Sequence, residues 1–381
     1  MLPGLLNELF GVNLFAYITF RMAMAALTGF VLALWWGKPT IAWLGGHRVK
    51  EDVSKSDSPE LATAAADAGK RDTPTMGGSF LVAALLASVL LWARLDNVHV
   101  VLAAILVGGL AAVGFVDDYK KLTIPGCAGL TRTSKMVGLT LVVGGVLVAF
   151  VVYARPERLS LLSLYPPFFK DAVIPFGQWG IAGLAGFVAL QWLVVVGTSN
   201  AANITDGLDG LAVGCMIISG LVLSIFCYVT GRFDWTAYLN LPHVRAASEM
   251  AVMGTALGGA CLGFLWYNAY PAQVFMGDSG SLPIGGLLAW MAMVSKQELV
   301  LPLIGCVFFL DLGSSWLQGF WYRRTGGKRL FSIAPVHHGL ERHGHLFKKT
   351  GHGWHEAKVV VRFWIVAALG AMAGLALLKV R

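Results

Sequence analysis

Along most of the chain, apolar residues run for close to twenty positions at a time, and polar residues fall between the runs. The runs lie at about 14–36, 77–95, 98–116, 136–154, 179–197, 210–229, 249–267, 280–295, 299–317 and 359–378. A helix needs about 20 predominantly apolar residues to cross the hydrocarbon layer, so each run predicts a spanning helix. The expectation is an all-α, polytopic integral membrane protein with about ten transmembrane helices. The first run is too long for a cleaved signal peptide. No small-residue cleavage pattern follows its Trp35-Trp36 end, so it is expected to be retained.

Positive charge gives the orientation. If the connections alternate sides, 18 Lys and Arg fall on the side of 37–76, 117–135 and 318–358, against 9 on the other side, and Arg21 and Arg362 lie within runs. Positively charged loops stay in the cytoplasm, so both termini are expected outside. Only 13% of the 381 residues are charged and 56% are apolar. An ordinary soluble domain carries about 25% charged residues, which excludes a soluble globular enzyme. The net charge of +8 then reflects cytoplasmic loops and not nucleic-acid binding. Five scattered cysteines without C-x-x-C spacing indicate neither a disulfide framework nor a zinc site. No repeat or second domain is visible: residues 1–381 read as a single transmembrane domain with a polar, Ala-rich insertion at about 51–70, expected to be a solvated linker.

The carboxylates are concentrated where the alternation puts the positive side. Asp117-Asp118 ends the third run, Asn200 to Asp209 joins the fifth and sixth, and Asp278 joins the seventh and eighth. An acidic pair at a helix C-terminus opposes the macrodipole, so a divalent cation, or a phosphate flanked by Lys121 and Lys135, is expected to offset the repulsion. Asn203, Asp206 and Asp209 recur every three residues, which is one face if the segment is helical. That face would present oxygens to a hard cation or to ribose and base edges. Phe275-Met-Gly-Asp278-Ser279 reads as a turn into a helix N-terminus, with an aromatic ring able to stack on a base. His337-His338 follow Arg323, Arg324, Lys328 and Arg329, a basic region suited to phosphate.

Together Lys70-Arg-Asp-Thr-Pro-Thr-Met-Gly-Gly78, Asp117-Asp118, the Asn200 to Gly210 segment, Phe275-Met-Gly-Asp278 and Ala334-Pro-Val-His-His338 resemble the polyprenyl-phosphate sugar-1-phosphate transferase superfamily. Within it, PTMGG and the histidine motif favour the phospho-N-acetylmuramoyl-pentapeptide transferase branch of bacterial cell-wall synthesis. The resemblance runs in order across nearly the whole chain. It implies Mg²⁺-dependent transfer of phospho-MurNAc-pentapeptide from its UDP conjugate, UDP-MurNAc-pentapeptide, to undecaprenyl phosphate, releasing UMP. It also implies a multi-pass protein of the bacterial inner membrane, a site on the cytoplasmic face, and commonly a homodimer. By motif position Asp278 looks like the metal ligand, and Asp117 and Asp118 the carboxylates at the lipid phosphate. Lys70, Asn203, Asp206, Asp209 and Phe275 would make the nucleotide contacts, with Thr75 and Asn200 also substrate-binding and Lys121, Lys135, Gln318, His337 and His338 completing the polar site. Either the lipid phosphate attacks directly, with Asp117 as base, or a carboxylate first forms a covalent intermediate; direct attack is preferred.

Three departures bear on the substrate branch: Gly339 stands where the family has a third His, Asp72 stands where it has Gly, and the Ala-rich insertion precedes the motif. The alternatives are a transferase using a UDP-N-acetylhexosamine without peptide, and, in another class, a transporter using the intramembrane Arg21, Asp311 and Arg362. The charge asymmetry makes a topological prediction. A membrane-impermeant thiol reagent added to intact cells should label a cysteine placed at the C-terminus and spare one placed at 51–70; the opposite pattern reverses the orientation.

Overall fold

The computed structural model describes residues 2–46, 73–124, 127, 129–154, 158–169 and 173–379, so the insertion at 51–70 and Lys70 lie outside the described residues. Besides short helices in the connections at Arg158–Leu161 and Phe233–Leu239, the helices are α1 (Leu2–Phe10), α2 (Ile18–Gly46), α3 (Gly78–Trp92), α4 (Val98–Thr123), α5 (Arg132–Tyr153), α6 (Gly180–Thr205) and α7 (Leu211–Thr230). They continue with α8 (Glu249–Asn268), α9 (Asp278–Val294), α10 (Leu301–Ile304), α11 (Cys306–Arg324), α12 (Val336–His343) and α13 (Glu356–Ala376). Sheet among the described residues is one two-residue antiparallel pair, Ser163–Leu164 against Ile174–Pro175.

A helix falls on every predicted apolar run. Seven are long and apolar enough to cross a membrane: α2, α4, α5, α6, α7, α8 and α13; α3 is apolar but shorter. The chain is an all-α, polytopic membrane protein. Several boundaries differ from the hydropathy pattern. Helix α2 continues through Pro39 to Gly46, and α4 runs past Asp117-Asp118 to Thr123, so the acidic pair lies within a helix and not at its end. The ninth run is broken at Gly305 into α10 and α11.

Helix α9 is the axis of the molecule. Every one of its 17 residues is buried, as a helix apolar on all sides requires. It packs against α3, α4, α6 and α7, while α8 packs against α2 and α7 around it. Close approach of α4 to α9 depends on Gly114, where an added Cβ would collide with the Asp278 carbonyl. The contact places the α4 acidic pair beside the first turn of α9.

The intramembrane charges have partners within the protein. Arg21 makes a bidentate pair with Glu249, at 2.8 and 2.5 Å, and a further bond to the Trp92 carbonyl, which ties α2, the end of α3 and the start of α8 together. Asp311 pairs with His337 at 2.9 Å, and the Arg362 guanidinium lies 4.1 Å from the centre of a Trp354 ring. Removing one partner of a buried ion pair leaves an uncompensated charge at a cost of about 3–5 kcal/mol, whereas replacing both by apolar groups is often neutral. Arg21→Met should therefore lower the unfolding temperature in detergent markedly, and Arg21→Met with Glu249→Met should recover most of the loss. Equal losses in the single and double variants would remove the pair from the fold's support.

Candidate active site

The first amides of any α-helix lack intrahelical partners. At α9 the problem is acute, because this end is buried and the preceding residue is Gly277 (φ +72°), which adopts a left-handed conformation and has no side chain to cap with. The acceptor comes from another helix. Asp118 of α4 takes the Asp278 amide at 3.3 Å and the Ser279 amide at 3.0 Å, one on each carboxylate oxygen. Asp118 is thus a cap supplied across the helix interface, and Thr75 lies buried beside the same Gly277.

Asp117, one position earlier, accepts the Leu130 amide at 2.7 Å and pairs with Lys121 at 2.6 Å. Asp278 lies across from it. One of its oxygens meets Lys135 at 2.5 Å and Lys121 at 3.5 Å, and the other accepts from the Asn203 amide at 2.6 Å. Asn203 donates as well to the Ser281 hydroxyl at 2.8 Å, which fixes its side chain between α6 and α9. Oxygens of Asp117, Asp118 and Asp278 lie within 4.8 Å of one another. Three carboxylates facing two ammonium groups leave net negative charge in a confined space, a donor set of hard oxygens suited to a divalent cation. Lys135 sits in the first turn of α5, where a cation opposes the macrodipole; its contact with Asp278 offsets that cost.

The backbone of the Pro74 to Gly78 segment is laid against the turn that precedes α9. Phe275 donates its amide to the Pro74 carbonyl, and Gly77 and Gly78 donate to the carbonyls of Phe275 and Met276, all at 2.8–2.9 Å. This pairing explains why the two motifs occur together: one segment templates the other. The Phe275 ring is half-buried beside it.

Other predicted residues are placed differently. The one-face expectation for Asn203, Asp206 and Asp209 does not hold, because α6 ends at Thr205. Asn203 turns to Asp278, Asp206 caps the helix end, and Asp209 binds the Ala272 amide through its carboxylate and Glu356 through its own amide. Asn200 bonds to the Val196 carbonyl of its own helix. Gln318 closes the turn after α11, accepting the amides of Leu330 and Phe331 and donating to the Phe331 carbonyl. His337 and His338 lie on α12 with ring centres 4.3 Å apart, beneath the 206–207 turn. Burial and the neighbouring His337 hold the His338 imidazole down at about 4, so at neutral pH it is uncharged. The basic residues read with the pair, Arg323, Arg324, Lys328 and Arg329, are exposed.

Three partners escaped the motif reading: Ser281, three residues after Asp278 on the same helix face; Leu130, which acts through its backbone; and Asp311, the lone carboxylate in the ninth apolar run. Only Asp311 carried a visible signal. The cap predicts an asymmetry within the acidic pair. Asp118→Ala leaves two buried amides unpaired and should cost about 2 kcal/mol or more of stability, while Asp117→Ala should cost less, since its Lys121 partner is a third exposed. Unfolding temperatures of the two purified variants decide this, and a smaller loss at Asp118 would contradict the cap.

Comparison with known proteins agrees with this geometry. The pattern of glycosyl transferase family 4 matches residues 98–296, which include Asp117, Asp118, Asn203 and Asp278. Relatives named phospho-N-acetylmuramoyl-pentapeptide-transferase, from Neisseria gonorrhoeae (strain NCCP11945) and Neisseria meningitidis serogroup C (strain 053442), are each 40% identical over 377 residues, covering 98% of this chain and 98% of their own. With a membrane-embedded helical scaffold, a converging acidic and basic cluster and relatives matched end to end, the chain belongs to glycosyl transferase family 4 and, within it, to the phospho-N-acetylmuramoyl-pentapeptide-transferases, enzymes that transfer a phospho-sugar.

Proposed function

We propose that this chain transfers phospho-MurNAc-pentapeptide from UDP-MurNAc-pentapeptide to undecaprenyl phosphate at the cytoplasmic face of a bacterial membrane, with Mg²⁺ as cofactor. The observation that carries the reading is the convergence of Asp117, Asp118 and Asp278 with Lys121 and Lys135 at one end of the helix bundle. The helix ends that supply them, those of α4, α5 and α9, border connections that the charge alternation assigns to the cytoplasm, as does the end of α6 that carries Asn203.

Phosphoryl transfer asks little covalent work of a protein; alignment and charge neutralisation dominate. Asp278 and Asp117 lie nearest the lysines, at 2.5 and 2.6 Å against 3.5 Å from Lys121 to Asp118, whose oxygens also take the α9 amides; Asp278 and Asp117 would hold the cation, whose chemistry is to offset negative charge on the pyrophosphate and the departing UMP. Lys121 and Lys135 draw the phosphates in and keep the carboxylates apart. Asn203 orients Asp278, and Asp118 keeps the start of α9 in register with both. A phosphate monoester loses its second proton near pH 6, so the lipid phosphate is already largely ionised at neutral pH and needs little help from a base. That favours direct attack: the acceptor oxygen forms a bond to the donor phosphorus as the bond to UMP breaks, and no enzyme-linked intermediate is required.

The test is a donor comparison on detergent-purified protein with undecaprenyl phosphate present. UMP release is expected from UDP-MurNAc-pentapeptide, only with Mg²⁺, and not from UDP-GlcNAc. Release from UDP-GlcNAc alone would replace this reading by an N-acetylhexosamine-1-phosphate transferase. Asp278→Asn should lower turnover at least about 100-fold, since a metal's electrostatic contribution is worth several kcal/mol; near-normal turnover with unchanged metal dependence would overturn the metal assignment.

A further inference from the structure

Asp311 and His337 form a pair with no solvent exposure at either residue, 2.9 Å between carboxylate oxygen and Nδ1. An ionised carboxylate only accepts hydrogen bonds, so Nδ1 carries the proton and the ring is held by that edge. The far nitrogen, Nε2, is buried and has no hydrogen-bond partner. It lies under Gly207, where a Cβ would come to 2.6 Å of it and to 3.0 Å of Nε2 of His338, so both imidazoles converge on one bare stretch of backbone. Gly207 is exposed on its other side and follows Asp206, which caps α6 less than one helical turn after Asn203, the residue that bonds to Asp278. The mounting of the histidine is rigid. Ser314, three residues after Asp311 on α11, accepts the Val336 amide at the start of α12, so one face of α11 holds both the helix that carries His337 and the ring itself.

A buried nitrogen left without a partner costs about 1–3 kcal/mol, and a protein keeps such a group where something else will satisfy it. We infer that Asp311 is a positioning residue for the nucleotide half of the donor: it fixes His337 so that Nε2 meets a hydrogen-bonding group of the bound nucleotide at the Gly207 turn. The inference rests on the proposed reaction, in which the 203–209 segment serves the UDP moiety. It assigns no contact with substrate to Asp311 itself, and it requires residue 207 to be without a side chain.

The experiment is a double-mutant cycle of Asp311→Asn and His337→Asn, read by UMP binding, by KM for the UDP-sugar, by KM for undecaprenyl phosphate and by thermal unfolding. Groups acting as one unit are non-additive, with couplings of about 0.5–3 kcal/mol. Asp311→Asn is expected to weaken UMP binding about tenfold and to raise the donor KM alike, leaving the KM for the lipid phosphate within about twofold. In the His337→Asn background it should change UMP binding no further. Additive losses, or a lowered unfolding temperature with unchanged UMP affinity, would make Asp311 purely structural and overturn the inference. A wild-type protein that binds no UMP would instead bring down the reading of the reaction, and the positioning role with it.

Discussion

A helix buried on every side must find acceptors for its first amides inside the protein, and the structure turns on how α9 meets that demand. Its N-terminus opens on Gly277, which cannot cap it, and the Asp118 carboxylate reaches across from α4 to take the amides of Asp278 and Ser279. An N-terminal helix end carries partial positive charge, so the same contact gives the carboxylate a favourable electrostatic environment. The approach is close because Gly114 exposes bare backbone to Asp278. Seen from α4, Asp117 and Asp118 sit in the unfavourable half of a helix dipole; seen from the pair of helices together, they sit against the favourable end of another.

This constraint sets the geometry of the neighbouring charges. Once Asp118 is fixed to the backbone of α9, Asp278 and Asp117 face each other at a distance decided by helix packing and not by side-chain choice. Lys121 reaches both, Lys135 closes on Asp278 from the start of α5, and Asn203 takes the remaining Asp278 oxygen. Four helices thus each contribute to one cluster, and the Pro74 to Gly78 backbone secures the turn leading into α9. A constellation held from so many directions is preorganised, which is where a reaction governed by charge placement gains most.

Much of this was legible in the residue pattern. Runs of twenty apolar residues placed the helices because hydrocarbon admits little else, and the acidic segments could be assigned to one end by alternation alone. Asp117, Asp118, Lys121, Lys135, Asn203 and Asp278 do meet. What the pattern could not convey was the division of labour among them, since identical carboxylates differ only in which atoms their neighbours present. Asp118 meets backbone amides, which no sequence motif reports. Asp209, read from its spacing, and Gln318, named by the resemblance, bind backbone amides of loops, at Ala272 and at Leu330 and Phe331. The three-residue spacing of Asn203, Asp206 and Asp209 failed as a face because the helix carrying the first stops at Thr205, and a spacing argument holds only while the helix lasts.

The charges inside the apolar runs show how local pairing separates an enzyme from a carrier. A charge in a hydrocarbon environment is costly, and a transport path accounts for one by lining it with water or with the moving substrate. Here Arg21 is consumed by Glu249 and a carbonyl, Arg362 lies over an aromatic ring, and Asp311 holds a histidine. Each is neutralised or shielded by a partner, Glu249 from a helix far along the chain and Trp354 and His337 from neighbouring segments, so none of these charges marks a route through the helices. The polar groups left to act on a ligand are those gathered at the start of α9, together with the imidazole that Asp311 holds at the Gly207 turn. The bundle's interior serves to hold that end still.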